Sequence, residues 1–501
     1  MTRPQLCMTL TGTTLEENLK NINDYRRYID MAELRVDFLS EIVPSQIAAF
    51  RDKAALPCIL TVRRKIDGGQ WQNSEDERAA LFERIFGEIL KVQIAGGNGF
   101  DFVDFEDDFR DENLRRAAAN VGLTIIRSVH NFEGPVGDAA ERVAEMGYSE
   151  NEIPKIAFMP HSLDDVTSLF ESAQKLQGNH ILLAMGELGL PSRILAEKLG
   201  NFLTFCSLPS QDSSISSLGH LDPVTLNETY HFRELTAETK VFGITGWPLA
   251  ATSSPALHNE GYKKTGLDAV YIPVRAQTID EAIHFDEAVG IGGMSVTIPH
   301  KESVMPFLKE LSPEVSEIGA CNTIVHKSDG WHGYNTDAPG FSKSLLEFTA
   351  LENLKGKKVS VIGAGGAACA VIYALKKLGA DVCIFNRTVG KAKILAERFD
   401  CAYAPLDESS LQKLKEYNQI IVQTTSKGMK NTEPANAEND PIFFYDFDGS
   451  ELLFDIVYVP EVTPVMARAQ KSGCRVCNGF DMLRYQGYEQ FKLFTGVEYN
   501  G

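Results

Sequence analysis

From the N-terminus the chain sets out eight short apolar runs: QLCMTL, MAELRVDFL, CILTVRR, FDFVDFE, TIIRSVH, PKIAFMP, HILLAMGE and FLTFCSL. Helical, charged stretches separate them. Short apolar runs bounded by polar segments read as buried strands. Strand then helix, eight times over, is the pattern of a compact (β/α)8 barrel, whose parallel strands all turn their carboxyl ends to one face. Residues 209–235, PSQDSSISSLGHLDPVTLNETYHFREL, break the alternation, being Ser-rich and then polar and helix-like, as a loop followed by a connector should be. Strand-like KVFGITG restarts an α/β alternation, and KKVSVIG at 357–363 runs into a glycine turn.

The pattern thus predicts an α/β protein in which a TIM barrel precedes a two-lobed α/β part. The boundaries expected are 1–222 for the barrel and 223–239 for the connector. A first α/β lobe should span 240–342, completed by 475–501, and a Rossmann lobe 343–474. No short-period repeat is present.

Several barrel strands carry polar groups. Glu33 and Arg35 follow the start of the second, Arg63 and Arg64 close the third, Glu106 the fourth and His130 the fifth, while Lys155 lies within the sixth. On a shared carboxyl-end face such groups converge despite their separation in sequence. In PKIAFMP, alternation puts Lys155, Ala157 and Met159 on one side and Ile156 and Phe158 on the other. That sets the Lys155 ammonium among hydrocarbon, where it must pair or shed its proton, and a lysine desolvated toward neutrality is an amine nucleophile. The plainer alternative is a strand-end lysine whose head reaches water along its own stem.

Composition narrows the classes. With 501 residues the chain exceeds one core, and 44% apolar with 23% charged residues is ordinary globular composition. A net charge of -19 disfavours nucleic acid and acidic membranes, so anionic ligands must be held by local arginines and lysines. Small metabolites fit, with no polymer partner; oligomeric state is open, a monomer being plausible. The nine cysteines sit mostly in apolar runs and read as buried reduced thiols, including the pair in GCRVC, so no metal is expected. No apolar run approaches 18 residues, and MTRPQLCMTL enters a strand almost at once. A cytoplasmic protein, or the mature form of an imported one, is expected.

Lys155, His130 and Glu106 on one rim define a chemistry. A neutral lysine condenses with a ketone, the protonated imine acidifies the neighbouring carbon, histidine removes that proton, and loss of a β-hydroxyl completes a dehydration. A carboxylate beside the histidine fixes its tautomer. The arginines at 35, 63 and 193 offer forked donors for a substrate carboxylate and hydroxyls. ELRVDFL, TVRR with DGGQW, VDFE, SVHNF, KIAFMP and MGELGLPSR, in this order, resemble the type I 3-dehydroquinate dehydratases over residues 1–222. The resemblance implies that Lys155 forms the Schiff base, His130 is the acid/base and Glu106 orients it. It also implies that Glu33, Arg35, Arg63 and Arg193 hold substrate. The family's Ser-Ala-Pro-Gly-Gln loop reads SSLGH here. Ser216 is retained, and His220 takes the glutamine's place with a shorter, titratable donor.

In the second half, VIGAGGAACA places Gly363, Gly365 and Ala368 in Gly-x-Gly-x-x-Ala spacing between a strand and a helix. Such glycines let backbone amides approach a pyrophosphate. The next strand ends in Asn386, Arg387 and Thr388 with Lys391 beyond, where an NAD-binding protein carries an acid; cations there suit the 2′-phosphate of NADP(H). Lys301 in SVTIPHKE and Asp337 in GYNTDAPGF suit a carbonyl reduction, the ammonium steadying developing charge on oxygen and the carboxylate holding it. With GWPLAATSSPALHN, GACNTIV, TTSKGM, DIVYVP and NGFDMLRYQG, these segments resemble shikimate dehydrogenase over 240–501.

That resemblance implies that Lys301 and Asp337 are the catalytic pair, that Thr252 and Ser254 take the substrate carboxylate, and that Thr297, Asn322, Tyr458 and Gln486 take its hydroxyls. It lays the cofactor on Gly363, Ala364, Gly365, Gly366, Ala367, Asn386, Arg387, Thr388, Lys391 and Thr424, with Gly479 and Met482 near the nicotinamide. Ala251 stands in place of the family's histidine and Ser295 where asparagine is more usual. Both halves then act on one carbon skeleton: 3-dehydroquinate to 3-dehydroshikimate, then to shikimate. Two rivals stay open: a quinate-utilising dehydrogenase/dehydratase, and a non-catalytic sensor of quinate metabolism.

Overall fold

The computed structural model describes residues 3–149, 151–208, 219–249 and 252–501. The chain divides into two compact units, Met1–Ile291 and Gly292–Gly501.

In the first unit, β1 (Gln5–Leu10), β2 (Met31–Arg35), β3 (Cys58–Thr61), β4 (Phe102–Glu106), β5 (Thr124–Asn131), β6 (Glu152–Phe158), β7 (Ile181–Ala184) and β8 (Leu203–Cys206) form one parallel sheet in the order β7-β6-β5-β4-β3-β2-β1-β8. All eight predicted strands are found. The seam between β7 and β8 is bridged by Phe202 N–H donating to the His180 carbonyl at 2.8 Å. Beside it the Asn201 carboxamide pairs with both backbone groups of Leu182, at 2.8 and 2.9 Å, as a strand residue would. The barrel is closed by these substitutes for a ladder.

Register carries the site. Glu106 of β4 lies opposite Ser128 of β5, and Ser128 opposite Lys155 of β6, so three polar residues form one row. Arg35, Thr61 and Asp104 form another across β2, β3 and β4. Even period means that Asp104 and Glu106 face the same way.

Beyond the barrel, β9 (Lys240–Gly246) and β10 (Ala269–Arg275) pair in parallel within the first unit. The helix Ile279–Val289 packs on the barrel helix Leu163–Ala173: Phe170 and Phe285 meet edge to face at 5.6 Å, and Glu281 accepts from Leu163 N–H at 3.2 Å. Residues 240–291 therefore keep company with the barrel, and the break in contacts falls later than the Ser-rich stretch suggests, because two apolar helix faces cover each other there.

The second unit begins with β11 (Ile291–Val296), which pairs antiparallel with β13 (Thr323–Lys327); β13 turns back into β14 (Gly330–Tyr334), edged by the short β12 (Glu310–Leu311). Then β15 (Lys358–Ile362), β16 (Asp381–Asn386), β17 (Ala402–Pro405), β18 (Ile420–Gln423), β19 (Leu452–Asp455) and β20 (Arg475–Cys477) form a parallel sheet in the order β17-β16-β15-β18-β19-β20. This is the doubly wound order, with its switch between β15 and β18. Of the nine thiols, Cys369, Cys401 and Cys477 are half-buried and the others buried, and none is bonded to another. Among the described residues no helix is long and apolar enough to cross a membrane, and no cluster of His, Cys, Asp and Glu is set to hold a metal.

Candidate active sites

The barrel mouth gathers Glu33, Arg35, Arg63, His130, Lys155, Arg193 and His220 around one pocket. Lys155 does not lie among hydrocarbon, as alternation along β6 alone suggests. Its Nζ is 3.0 Å from Asp104 Oδ2 and 4.5 Å from the centre of the Phe205 ring. Periodicity within one strand reports the face, whereas the neighbours on that face come from β4 and β8.

Asp104 is the hub. Ser128 Oγ donates to its Oδ1 at 2.6 Å, and Arg63 NH2 lies 2.8 Å from its Oδ2 beside the lysine. Burial alone would favour the protonated acid, but Arg63, Lys155 and His130 hold it far below the usual carboxylate range. Asp104 is an acceptor with a permanent charge.

Glu106 has different partners from those expected. Arg63 NH1 lies 2.7 Å from Oε1 and Arg78 NH1 2.6 Å from Oε2, while Nδ1 of His130 is buried without a hydrogen-bond partner among the described residues. Arg78 comes from the first turn of the helix Glu75–Ile94, whose start is fixed by a capping box between Ser74 and Glu77. The cap aims Arg78, fully buried, at Glu106. The His130 imidazole is held well below its ordinary pKa, by burial first and then by Arg63 and Lys155. A neutral ring near an amine is a proton acceptor in waiting.

Glu33 accepts from Thr9 Oγ1 at 3.1 Å and Thr61 Oγ1 at 3.0 Å. Arg35 is forked onto Asp37, at 3.0 and 2.8 Å. Burial pulls Arg193 down to about 10, so it stays cationic at neutral pH. His220 lines the pocket with a buried Nδ1, and burial, Arg193 and Lys155 keep its ring neutral too. Ser216 lies outside the described residues.

In the second unit Lys301 Nζ lies 2.5 Å from Asp337 Oδ2, and Asn322 Nδ2 donates to Asp337 Oδ1 at 2.8 Å. Asn322 Oδ1 receives the Thr336 N–H at 2.8 Å, and Thr336 Oγ1 donates to Gln486 Oε1 at 3.3 Å. Lys301, Asp337, Asn322 and Gln486 are therefore one connected set. Thr297 and Tyr458 are half-buried and make no side-chain hydrogen bond within it. In the first unit, Thr252 Oγ1 donates to Ser254 Oγ at 3.0 Å and accepts the Ser254 N–H at 3.2 Å.

The β15 turn fits a dinucleotide. Gly363 has φ +115°, and a Cβ there would come within 2.7 Å of Thr424 Oγ1, whereas one at Gly365 or Gly366 would meet nothing within 4 Å. Open space therefore lies over the start of the helix Gly366–Lys377, where unsatisfied N–H groups attract phosphate. Ala364 and Ala367 flank that opening. Asn386 Nδ2 is tied to the Thr388 carbonyl at 2.9 Å, while Arg387, just ahead of the helix Val389–Phe399, and Lys391, in its first turn, are exposed. Gly479 packs where a Cβ would be 2.0 Å from the Ile456 carbonyl, and Met482 belongs to the buried core beneath.

Sequence reasoning missed Asp104, Arg78, Ser128, Thr323 and Gln490. The run VDFE carried one signal, since an Asp two residues before a site Glu shares its face.

Comparison with known proteins agrees with this division of chemistry. Residues 6–237 match the model of the type I 3-dehydroquinases. Residues 244–324 match that of the shikimate dehydrogenase substrate binding domain, and 346–470 that of the shikimate/quinate 5-dehydrogenases. The chloroplastic bifunctional 3-dehydroquinate dehydratase/shikimate dehydrogenase of Arabidopsis thaliana is 33% identical over 490 residues, covering 93% of this chain and 78% of its own length. The NADP(+) shikimate dehydrogenase of Carboxydothermus hydrogenoformans is 40% identical over 52% of this chain and 94% of its own. A solved structure of dehydroquinate dehydratase and shikimate dehydrogenase from S. pombe covers 99% of this chain and 97% of its own, at 26% identity and a TM-score of 0.44.

Proposed function

Given that the chain belongs to the family of bifunctional 3-dehydroquinate dehydratase/shikimate dehydrogenases, we propose that its two activities are carried by the barrel-mouth set around Lys155 and by the Lys301–Asp337 set. The protein is a lyase and an NADP-dependent oxidoreductase. It dehydrates 3-dehydroquinate to 3-dehydroshikimate and reduces that product to shikimate. We assign the first activity to 1–222 and the second to 240–501, joined by the connector 223–239, and place the protein in the cytoplasm.

In the barrel, Lys155 gives up a proton to neutral His130 and adds to the substrate carbonyl carbon; His130 returns that proton to the carbinolamine hydroxyl, which leaves as water to form the protonated imine and restores the neutral ring. His130 then takes the proton from the adjacent carbon, and the electron pair moves into the imine as an enamine. The enamine expels the β-hydroxyl, which leaves as water with the proton His130 returns, and hydrolysis of the imine frees Lys155. Asp104 holds the lysine in place between turns of the cycle. Arg63 and Arg193, with Glu33, Arg35, Ser216 and His220, hold the substrate. Glu106, locked by Arg63 and Arg78, acts through Arg63.

In the second activity Lys301 donates toward the substrate carbonyl oxygen as charge develops there, and Asp337 fixes the lysine and accepts from a substrate hydroxyl. Thr252 and Ser254 take the carboxylate; Thr297, Asn322, Tyr458 and Gln486 take hydroxyls. NADPH supplies the hydride when bound. Gly363 to Ala367 and Thr424 hold its pyrophosphate, Asn386 and Thr388 its ribose, Arg387 and Lys391 its 2′-phosphate, and Gly479 and Met482 flank its nicotinamide.

The observation that carries this reading is the buried Lys155 beside a neutral His130 on the same rim as three arginines. The test is purified protein given 3-dehydroquinate and NADPH, with nicotinamide absorbance followed. Steady NADPH consumption is expected; a protein that binds 3-dehydroquinate without turnover, or that oxidises quinate with NAD faster than shikimate with NADP, contradicts it.

A further inference from the structure

The hydroxyl of Ser295 and the ammonium of Lys301 are joined by one run of oriented hydrogen bonds in the second unit. Ser295 Oγ donates to Gln490 Oε1 at 2.8 Å, and Gln490 Nε2 donates to Thr323 Oγ1 at 3.0 Å. Thr323 Oγ1 donates to Asn322 Oδ1 at 2.8 Å, Asn322 Nδ2 donates to Asp337 Oδ1 at 2.8 Å, and Asp337 Oδ2 meets Lys301 Nζ at 2.5 Å.

The polarity of this run is fixed from outside. A carboxamide turned end for end exchanges donor for acceptor, and only a partner of fixed character forbids it. For Asn322 that partner is the Thr336 N–H, a donor, 2.8 Å from Oδ1. For Gln490 it is the Asn322 backbone carbonyl, an acceptor, 3.4 Å from Nε2. Between these anchors the Thr323 hydroxyl accepts from Gln490 and has to donate to Asn322. Every donor thus points toward Asp337. Thr323 is fully buried, and Asn322 and Gln490 are each 2% exposed, so water does not compete. Gln490 also sits one turn beyond Gln486 on the helix Phe480–Thr495, which ties both carboxamides to one rigid element.

We infer that Gln490 and Thr323 are positioning residues for carbonyl reduction: they steady the Asn322 carboxamide in the orientation that the Thr336 N–H fixes, and through it the placement of the Lys301–Asp337 pair. The inference rests on that pair being catalytic. Donors aimed at a carboxylate favour its charged form. With the Thr323 hydroxyl removed, Asn322 Oδ1 loses one of its two 2.8 Å donors and keeps the Thr336 N–H and, at 3.3 Å, the Thr336 hydroxyl, so its amide is freer to move and its hold on Asp337 Oδ1 loosens.

The test compares Thr323→Val, which keeps shape and removes the hydroxyl, with Thr323→Ser, which keeps it, and with Gln490→Met and the Val/Met double variant. Steady-state reduction of 3-dehydroshikimate is measured, and NADPH binding is followed by its fluorescence to certify that the second unit is folded. Thr323→Val and Gln490→Met should each lower kcat about ten-fold and leave NADPH affinity unchanged. Thr323→Ser should stay within about two-fold of the parent, and the double variant should lose no more than either single one, since both cut the same run. Wild-type kcat in Thr323→Val and Gln490→Met, or losses that multiply in the double variant, overturn the inference. Lys301→Ala separates the two levels: if it still reduces substrate, the catalytic reading of the pair fails and the relay with it, whereas a dead Lys301→Ala beside a normal Thr323→Val removes the relay alone.

Discussion

Lys155 Nζ on β6 and Asp104 Oδ2 on β4 lie 3.0 Å apart across the intervening strand β5, both side chains buried. The pair explains how an ammonium is kept inside a barrel without being expelled. Its counter-charge sits two strands away in the sheet and is itself steadied by Arg63 and Ser128.

Removing one member of a buried ion pair leaves the other uncompensated, at a cost of about 3–5 kcal/mol. Asp104→Asn should therefore lower the stability of the first unit by about 3 kcal/mol, less where Glu106 still serves Arg63, and cut dehydration by more than about ten-fold. Thermal unfolding and a 3-dehydroquinate assay on the same preparation check both. Unchanged melting would mean that Asp104 does not carry the charge balance of the pocket.

Lys155→Ala should abolish dehydration while reduction of added 3-dehydroshikimate continues. Borohydride added during turnover should fix a substrate-derived mass on the peptide containing Lys155. An adduct on any other residue sinks the assignment.

The imidazolium form of His130 is opposed by burial and by the cations Arg63, Lys155 and Arg35, so its titration lies below the ordinary value of about 6.5. Dehydration should hold its rate as pH falls through about 6.5 and decline only in more acid solution, as the base becomes protonated. An acid limb centred at or above neutrality contradicts this. The same depression stabilises the fold at pH above about 6.5, and that share is lost as pH falls toward the folded-state value.

Arg387 and Lys391 are exposed cations just beyond the end of β16, with no acidic residue between them in the sequence. Hydrogen bonds to charged groups are each worth about 1.5–3 kcal/mol. Arg387→Ala should raise KM for NADPH at least about ten-fold and leave KM for NADH within about two-fold, narrowing the preference. Equal losses for both cofactors would show that the guanidinium does not read the 2′-phosphate.

Gly363 combines φ +115° with a Cβ position only 2.7 Å from Thr424 Oγ1. Gly363→Ala should weaken NADPH binding by more than about ten-fold, through backbone strain of about 1–2 kcal/mol and displacement of Thr424 from the Ile362 carbonyl. The dehydratase rate serves as the internal control.

By itself the sequence determined the alternation of strands and helices, hence eight barrel strands and a doubly wound sheet, because burial on both faces imprints continuous apolar runs on each strand. It also determined which residue types stand at strand ends, and so the candidates Lys155, His130, Lys301 and Asp337. Only the tertiary structure decided their partners. Lys155 meets Asp104 rather than hydrocarbon, Glu106 meets Arg63 and Arg78 rather than His130, and Asp337 is reached from Gln490 through Thr323 and Asn322. Period and spacing specify the side of a strand on which a residue lies. The identity of what it faces depends on register between strands far apart in the chain and on helices such as Glu75–Ile94 and Phe480–Thr495, whose caps and packing aim single side chains into the site.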